Sequence, residues 1–293
     1  MQKRGTQVPL FSFVSVKFVW ASWVDFGNTV AMSDVVDPVL VDLAGEVAAI
    51  DSLLNSLSRD DWSQQTPAAG WNVADQVIHL GLFDRRAQWS MTEPARFSDD
   101  MRALMTKGGI DAVHNAESHR TPVDLLSWWR NGAADLASAA HSLDFSARCV
   151  WYGPSMSARS MLTARLMETW AHGYDIADAV GAVMPATNRL RHVAHIGVGA
   201  RRFAFAANKR EMPEGDVFVE LVAPSGEVWT WGESSVENSV KGDALNFCLA
   251  VTQRRHLDDC DLNVQGSLAT EWMSIAQAFA GAPGVGRTKG QFD

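Results

Sequence analysis

Cysteine is scarce, with three in 293 residues. Cys149, Cys248 and Cys260 stand far apart with no CxxC spacing, which excludes a disulfide framework and a thiolate zinc knuckle and fits a reducing cytoplasm. Positive charge is also in deficit: 25 Lys and Arg face 34 Asp and Glu, for a formal net charge of -9. A nucleic-acid partner gripped through its phosphates needs clustered cations, and the isolated pairs Arg85-Arg86, Arg201-Arg202 and Arg254-Arg255 form no cluster. The apolar run within residues 1–31 is interrupted by Lys17 and is too short to span a bilayer, so no membrane association is expected. Internal repeats and low-complexity tracts are missing too. What is present is a chain with 47% hydrophobic residues, enough for a substantial core in one large or two ordinary domains.

Residues 1–31 place Lys3 and Arg4 ahead of their apolar run, an outline shared with secretory signals. A second methionine, Met32, leads directly into a helix with Asp37 as cap and Pro38 at its first position. Translation is therefore expected to begin at Met32, with 1–31 an upstream extension. A native chain cleaved near Ala31 and found outside the cytoplasm would contradict this.

From Met32 to about Ala207 apolar residues recur at three and four spacing, without strand alternation. Helices are expected over about Pro38–Leu57, from a cap at Asn72, from Thr121 with Pro122 at the first position, over Ala164–Gly181, and over about Asn188–Ala207. Helices of this length with connecting loops suit a bundle. Beyond Pro213 the pattern changes. "DVFVELVAPSGEVWTWG" reads as a hairpin around Pro224-Ser225-Gly226, and strand, helix, short strand and a closing helix capped by Ser267 follow. The division expected is an extension 1–31, a helical bundle 32–210, a small α+β domain 211–282 and a mobile Gly-rich tail 283–293.

The stretch "ARLMETWAHGYDIADAVG" carries the chemistry. At a helical 100° per residue, Glu168 and His172 lie about 40° apart and Asp175 about 20° from Glu168 on its other side. The three share an edge beside the apolar stripe of Leu162, Leu166, Gly173, Ile176 and Val180, at the rim of the bundle interior. A neutral imidazole and a carboxylate so placed can hold one divalent cation with a third ligand from elsewhere. An ordinary Glu–His pair on a solvated face fits the same spacing. Among His79, His114, His119, His141, His192 and His195, the third ligand is best sought at His79, which lies in the apolar "QVIHLGLF"; a satisfied core histidine fits there too. The others read as surface residues.

"GWNVADQVIHL", followed about ninety residues later by "ETWAHGYDIADAVG", resembles the N-terminal domain of the mycothiol-dependent maleylpyruvate isomerase family, within the wider DinB-like metal-binding bundles. The resemblance covers approximately Val35–Ala207. It implies a DinB-like four-helix bundle followed by a small α+β domain, a mainly α chain overall. It also implies a divalent metal, commonly zinc, held by His79, Glu168 and His172. More loosely, "VKGDALNFCLAVTQRRHLDDCDL" resembles the segment in which the family has an arginine facing the metal cleft, making Arg254 or Arg255 a catalytic candidate; an exposed helix end is the other reading. The same tail is also similar to the small domain that ends enzymes of wyosine base formation.

A His2Glu metal keeps an open coordination position, so a bound water or thiol can ionise near neutral pH. The resemblance implies mycothiol as the thiol, attacking a small electrophilic substrate as its thiolate, in isomerisation or in thiol transfer. Asp75 and Asp175 are candidates for orienting the imidazoles or, equally, surface carboxylates. Trp71, Trp128, Trp129 and Trp170 are available to shape a cleft or to fill the core. A non-catalytic metal-binding or stress-response module, and a metal-dependent hydrolase, remain the alternatives.

Overall fold

The computed structural model describes residues 37–106, 109–281 and 283–292; the expected extension 1–31 lies outside them. Four long helices make the bundle: α1 (Pro38–Ser56), α2 (Val73–Thr92), α5 (Pro122–His141) and α6 (Ala158–Val180). Each starts where a side chain satisfies an orphan backbone N–H: Asp37 accepts from Val39, Thr121 from Asp124 and Ser157 from Ser160. Asn72 and Asp75 form a reciprocal capping box at the start of α2. α6 ends at Gly181, whose φ of 67° only glycine adopts without cost.

α2 packs against α5 and α6, and α1 packs against α6. From Met161 to Ala177 nearly every position of α6 is buried, so this helix runs through the middle of the assembly. Gly173 permits its approach to α1: a Cβ there would stand 1.9 Å from Cδ1 of Ile50.

Two helices between α2 and α5 were not anticipated, α3 (Pro94–Thr106) and α4 (Gly109–Glu117). Their apolar signal is sparse, with Phe97, Leu104 and Ile110 as their buried hydrophobic anchors. Arg86 fastens α3 to α2 through Asp100, at 2.9 and 3.2 Å. The helix expected over Asn188–Ala207 is two, α7 (Leu190–Gly199) and α8 (Arg201–Ala207), broken beside a poor helix former. Strands β1 (Arg148–Cys149) and β2 (Met156–Ser157) form a ladder ahead of α6 that is too short to show alternation.

Strand structure resumes at Val217 in a four-stranded sheet of order β4-β3-β5-β6. The hairpin β3 (Val217–Val222) and β4 (Val228–Trp231) is antiparallel; β3 pairs parallel with β5 (Asn238–Asp243), and β5 antiparallel with β6 (Leu262–Gln265). α9 (Ala244–Val251) and α10 (Ser267–Ser274) complete the unit. Ser267 is not the cap of α10: Asn238 reaches across from β5, its Oδ1 accepting from Leu268 and Ala269, while Gly266 takes the turn at φ 85°. Buried residues of the bundle and of this unit form one continuous core. Among the described residues no helix is long and apolar enough to cross a membrane.

Candidate metal centre

The capping box fixes where α2 begins and therefore which face carries His79; α6 brings Glu168 and His172 opposite it. Both imidazoles address one carboxylate oxygen. His172 Nε2 lies 3.1 Å and His79 Nε2 3.8 Å from Glu168 Oε2. The ring centroids of the two histidines are 4.5 Å apart, and one ligand atom from each of the three residues lies within 4.8 Å of the others. His79 and His172 are buried, whereas the Glu168 side chain keeps 23% of its surface, so the cluster opens on the Glu168 side. The Trp71 ring lies over both imidazoles, at 5.1 Å from His79 and stacked at 5.9 Å on His172. Phe83 covers the His79 ring at 4.5 Å and leads to Trp151 and Tyr152.

Burial, with the neighbouring His172, pushes His79 down to about 3, so its ring is a neutral donor at physiological pH. Burial alone would raise Glu168, but its interactions with the neighbouring His172 and His79 together outweigh that and hold it well below the usual carboxylate range. Two imidazoles and one carboxylate converging this tightly could hold a divalent ion. Behind the cluster, Arg165 of α6 binds Asp84 of α2 at 3.0 Å and the Leu80 carbonyl at 3.3 Å, locking together the two helices that carry the trio.

The other expected site residues are placed differently. Asp75 touches neither His79 nor His172 among the described contacts; its Oδ2 accepts from the Asn72 backbone at 2.9 Å, and its Oδ1 lies 3.9 Å from His114. Asp175 gives one oxygen to Arg254 at 2.9 Å and the other to Arg287 at 2.5 Å. Arg254 is buried rather than exposed at a helix end. Its remaining donors go to the carbonyls of Ala171, at 3.1 Å, and Thr252, at 2.7 Å. Arg255 forks onto Asp178 at 2.8 Å through both terminal nitrogens. The two arginines thus clamp the C-terminal unit onto α6 through Asp175 and Asp178.

The imidazole partner is instead Gln76, whose Oε1 lies 2.5 Å from His172 Nδ1. The available signal was an amide inside an apolar run three residues before His79. His114, read as a surface residue, is half-buried, with its ring 5.3 Å from Trp71 and Nε2 3.1 Å from the Asp75 carbonyl. Of the tryptophans, Trp71 lines the cluster, Trp129 and Trp170 fill the core, and Trp128 lies beneath Arg85 at 3.9 Å.

Fold and cluster together define a helical bundle with an inward His2Glu trio, continued by a small α+β unit. The family model described as the mycothiol maleylpyruvate isomerase N-terminal domain matches residues 43–177, and the chain belongs to this family. Two uncharacterized proteins from strains of Mycobacterium tuberculosis, MT0041 and Rv0036c, are each 44% identical over 252 residues, covering 85% of this chain and 98% of the relative. Among solved structures, the mycothiol-dependent maleylpyruvate isomerase is similar at 17% identity and a TM-score of 0.48, covering 74% of this chain and 88% of that one. A mutant of the same enzyme aligns at 16% identity and a TM-score of 0.48, covering 78% and 95%.

Proposed function

We propose that this protein is a divalent-metal-dependent enzyme that uses a low-molecular-weight thiol, mycothiol, to isomerise a small electrophilic substrate or to transfer the thiol to it, in the cytoplasm. The observation that carries the reading is the convergence of His79, Glu168 and His172, with ligand atoms within 4.8 Å of one another. Family membership supports the thiol and the isomerase-like chemistry, and the three free, buried cysteines support a reducing compartment.

The donor set suits zinc, which supplies the Lewis acidity that ionises a thiol near neutral pH. Mycothiol supplies the nucleophilic sulfur. The chain's own residues do the rest. His79 and His172 present lone pairs, and Glu168 adds one negative charge that offsets part of the cation's. Trp71 and Phe83 cover the ring faces and keep water from them, and Arg165 with Asp84 holds α2 and α6 at a fixed separation.

Metal analysis by mass spectrometry and a thiol-conjugation assay test this. Purified protein should carry about one divalent ion, His172→Ala should lose it, and the metal-loaded protein should consume thiol or isomerise substrate when both are offered. Full turnover by metal-free wild type would refute metal dependence. Metal uptake without turnover across diverse electrophiles would leave a binding module.

A further inference from the structure

Gln76 is fully buried on α2, and its carboxamide bridges Thr66 and His172. Thr66 settles which end of the amide faces which partner. Its Oγ1 lies 2.8 Å from the carbonyl of Trp71, a group that can only accept, so the hydroxyl proton is committed there. The same Oγ1 has only lone pairs left for Gln76, and the group that reaches it at 2.9 Å is the NH2 end. Oε1 therefore faces His172 Nδ1, and an acceptor at that position calls for a proton on Nδ1. The chain of bonds is anchored, because Trp71 O also accepts from Thr66 N at 2.8 Å and closes the loop ahead of α2.

We propose that Thr66 and Gln76 are positioning residues that hold the His172 proton on Nδ1 and so commit Nε2, the nitrogen 3.1 Å from Glu168, to metal binding. The proposal rests on the metal reading of the trio. It answers a difficulty built into the ExxxH spacing. Glu168 on its own would draw a proton onto Nε2 and close the cluster into a plain Glu–His hydrogen bond, whose nitrogen has no lone pair left for a cation. An amide acceptor on the opposite nitrogen works against that outcome without adding charge. A buried carboxylate in its place would orient the ring too, but would make the cluster more negative. The loop that anchors the relay also carries Trp71, so one short segment sets both the tautomer of His172 and the stacking against its face.

Three variants test it: Gln76→Leu, which removes the acceptor at similar volume; Gln76→Glu, which keeps one; and Thr66→Val, which frees the far end of the amide. Nitrogen-15 NMR of labelled histidine should show a hydrogen-bonded proton on His172 Nδ1 in wild type, with or without zinc, and its loss from that nitrogen in Gln76→Leu. Zinc affinity by chelator competition should fall about 10- to 100-fold in Gln76→Leu, by less in Thr66→Val, and recover in Gln76→Glu. Melting temperatures of the metal-free variants should not follow that order, which a packing role would impose. An unprotonated Nδ1 in wild type, or wild-type zinc affinity in Gln76→Leu, overturns the proposal. Wild type that takes up no zinc while Nδ1 keeps its proton overturns the metal reading instead.

Discussion

His79 and Glu168 make the metal-free cluster sensitive to acid. The folded-state pKa of His79 lies at about 3, below its ordinary 6.5, so between those values the unfolded chain binds a proton that the folded chain refuses. Stability therefore falls as pH drops through that window, by at most about 1.4 kcal/mol per pH unit. Glu168, held below its ordinary 4.5, stabilises the fold above that value and loses its contribution as pH falls further. Calorimetry on metal-free protein between pH 7 and pH 5 should show a falling melting temperature, with a flatter slope in His79→Leu; equal slopes would contradict the burial argument. That His79, Glu168 and His172 converge was legible in the sequence, because helical spacing and two short motifs mark them. Gln76 was not. Its meaning depends on a hydroxyl ten residues back and an imidazole on another helix, and neither is marked by periodicity.

α6 is the element on which the bundle, the candidate site and the C-terminal unit meet, and its tolerances are correspondingly narrow. Gly173→Ala would drive a methyl group into Ile50, which is itself fully buried beside the residue following His172. Overpacking of this kind costs about 1–3 kcal/mol, and Ile50→Val in the same chain should restore part of it. Urea denaturation of the two single variants and the double variant measures the coupling; strict additivity would mean that the helices adjust elsewhere. At Asp175, Arg254→Ala leaves a buried carboxylate with one partner of two and should cost about 1–3 kcal/mol by the same measurement. The long helices could be read in advance because caps and periodicity agree there, and the strands of the C-terminal unit because their apolar runs are bounded by turn residues. α3 and α4 escaped because they are shorter than the bundle helices and their few apolar residues stand among many polar ones.

Across the whole molecule, the segment 283–292, expected to be mobile, has ordered contacts instead. Arg287 binds Asp175, Lys289 binds Asp258 at 3.1 Å, the Gly290 backbone donates to Asp259 at 2.9 Å, and the ring of Phe292 lies 3.8 Å from the Arg255 guanidinium. Its glycines suggested mobility, but the partners come from distant parts of the chain and leave no local trace. Removing residues 284–293 should lower the melting temperature by a few degrees, and Arg287→Ala should reproduce much of that loss, about 1–2 kcal/mol. An unchanged melt in both would show that Arg254 alone satisfies Asp175.

The two guanidiniums on Asp175 both come from beyond α8, although the carboxylate belongs to the bundle. A fragment severed near residue 210 would expose a bare anion one turn from His172. Grafting a different C-terminal unit onto this scaffold would therefore need a cation delivered in register at the join.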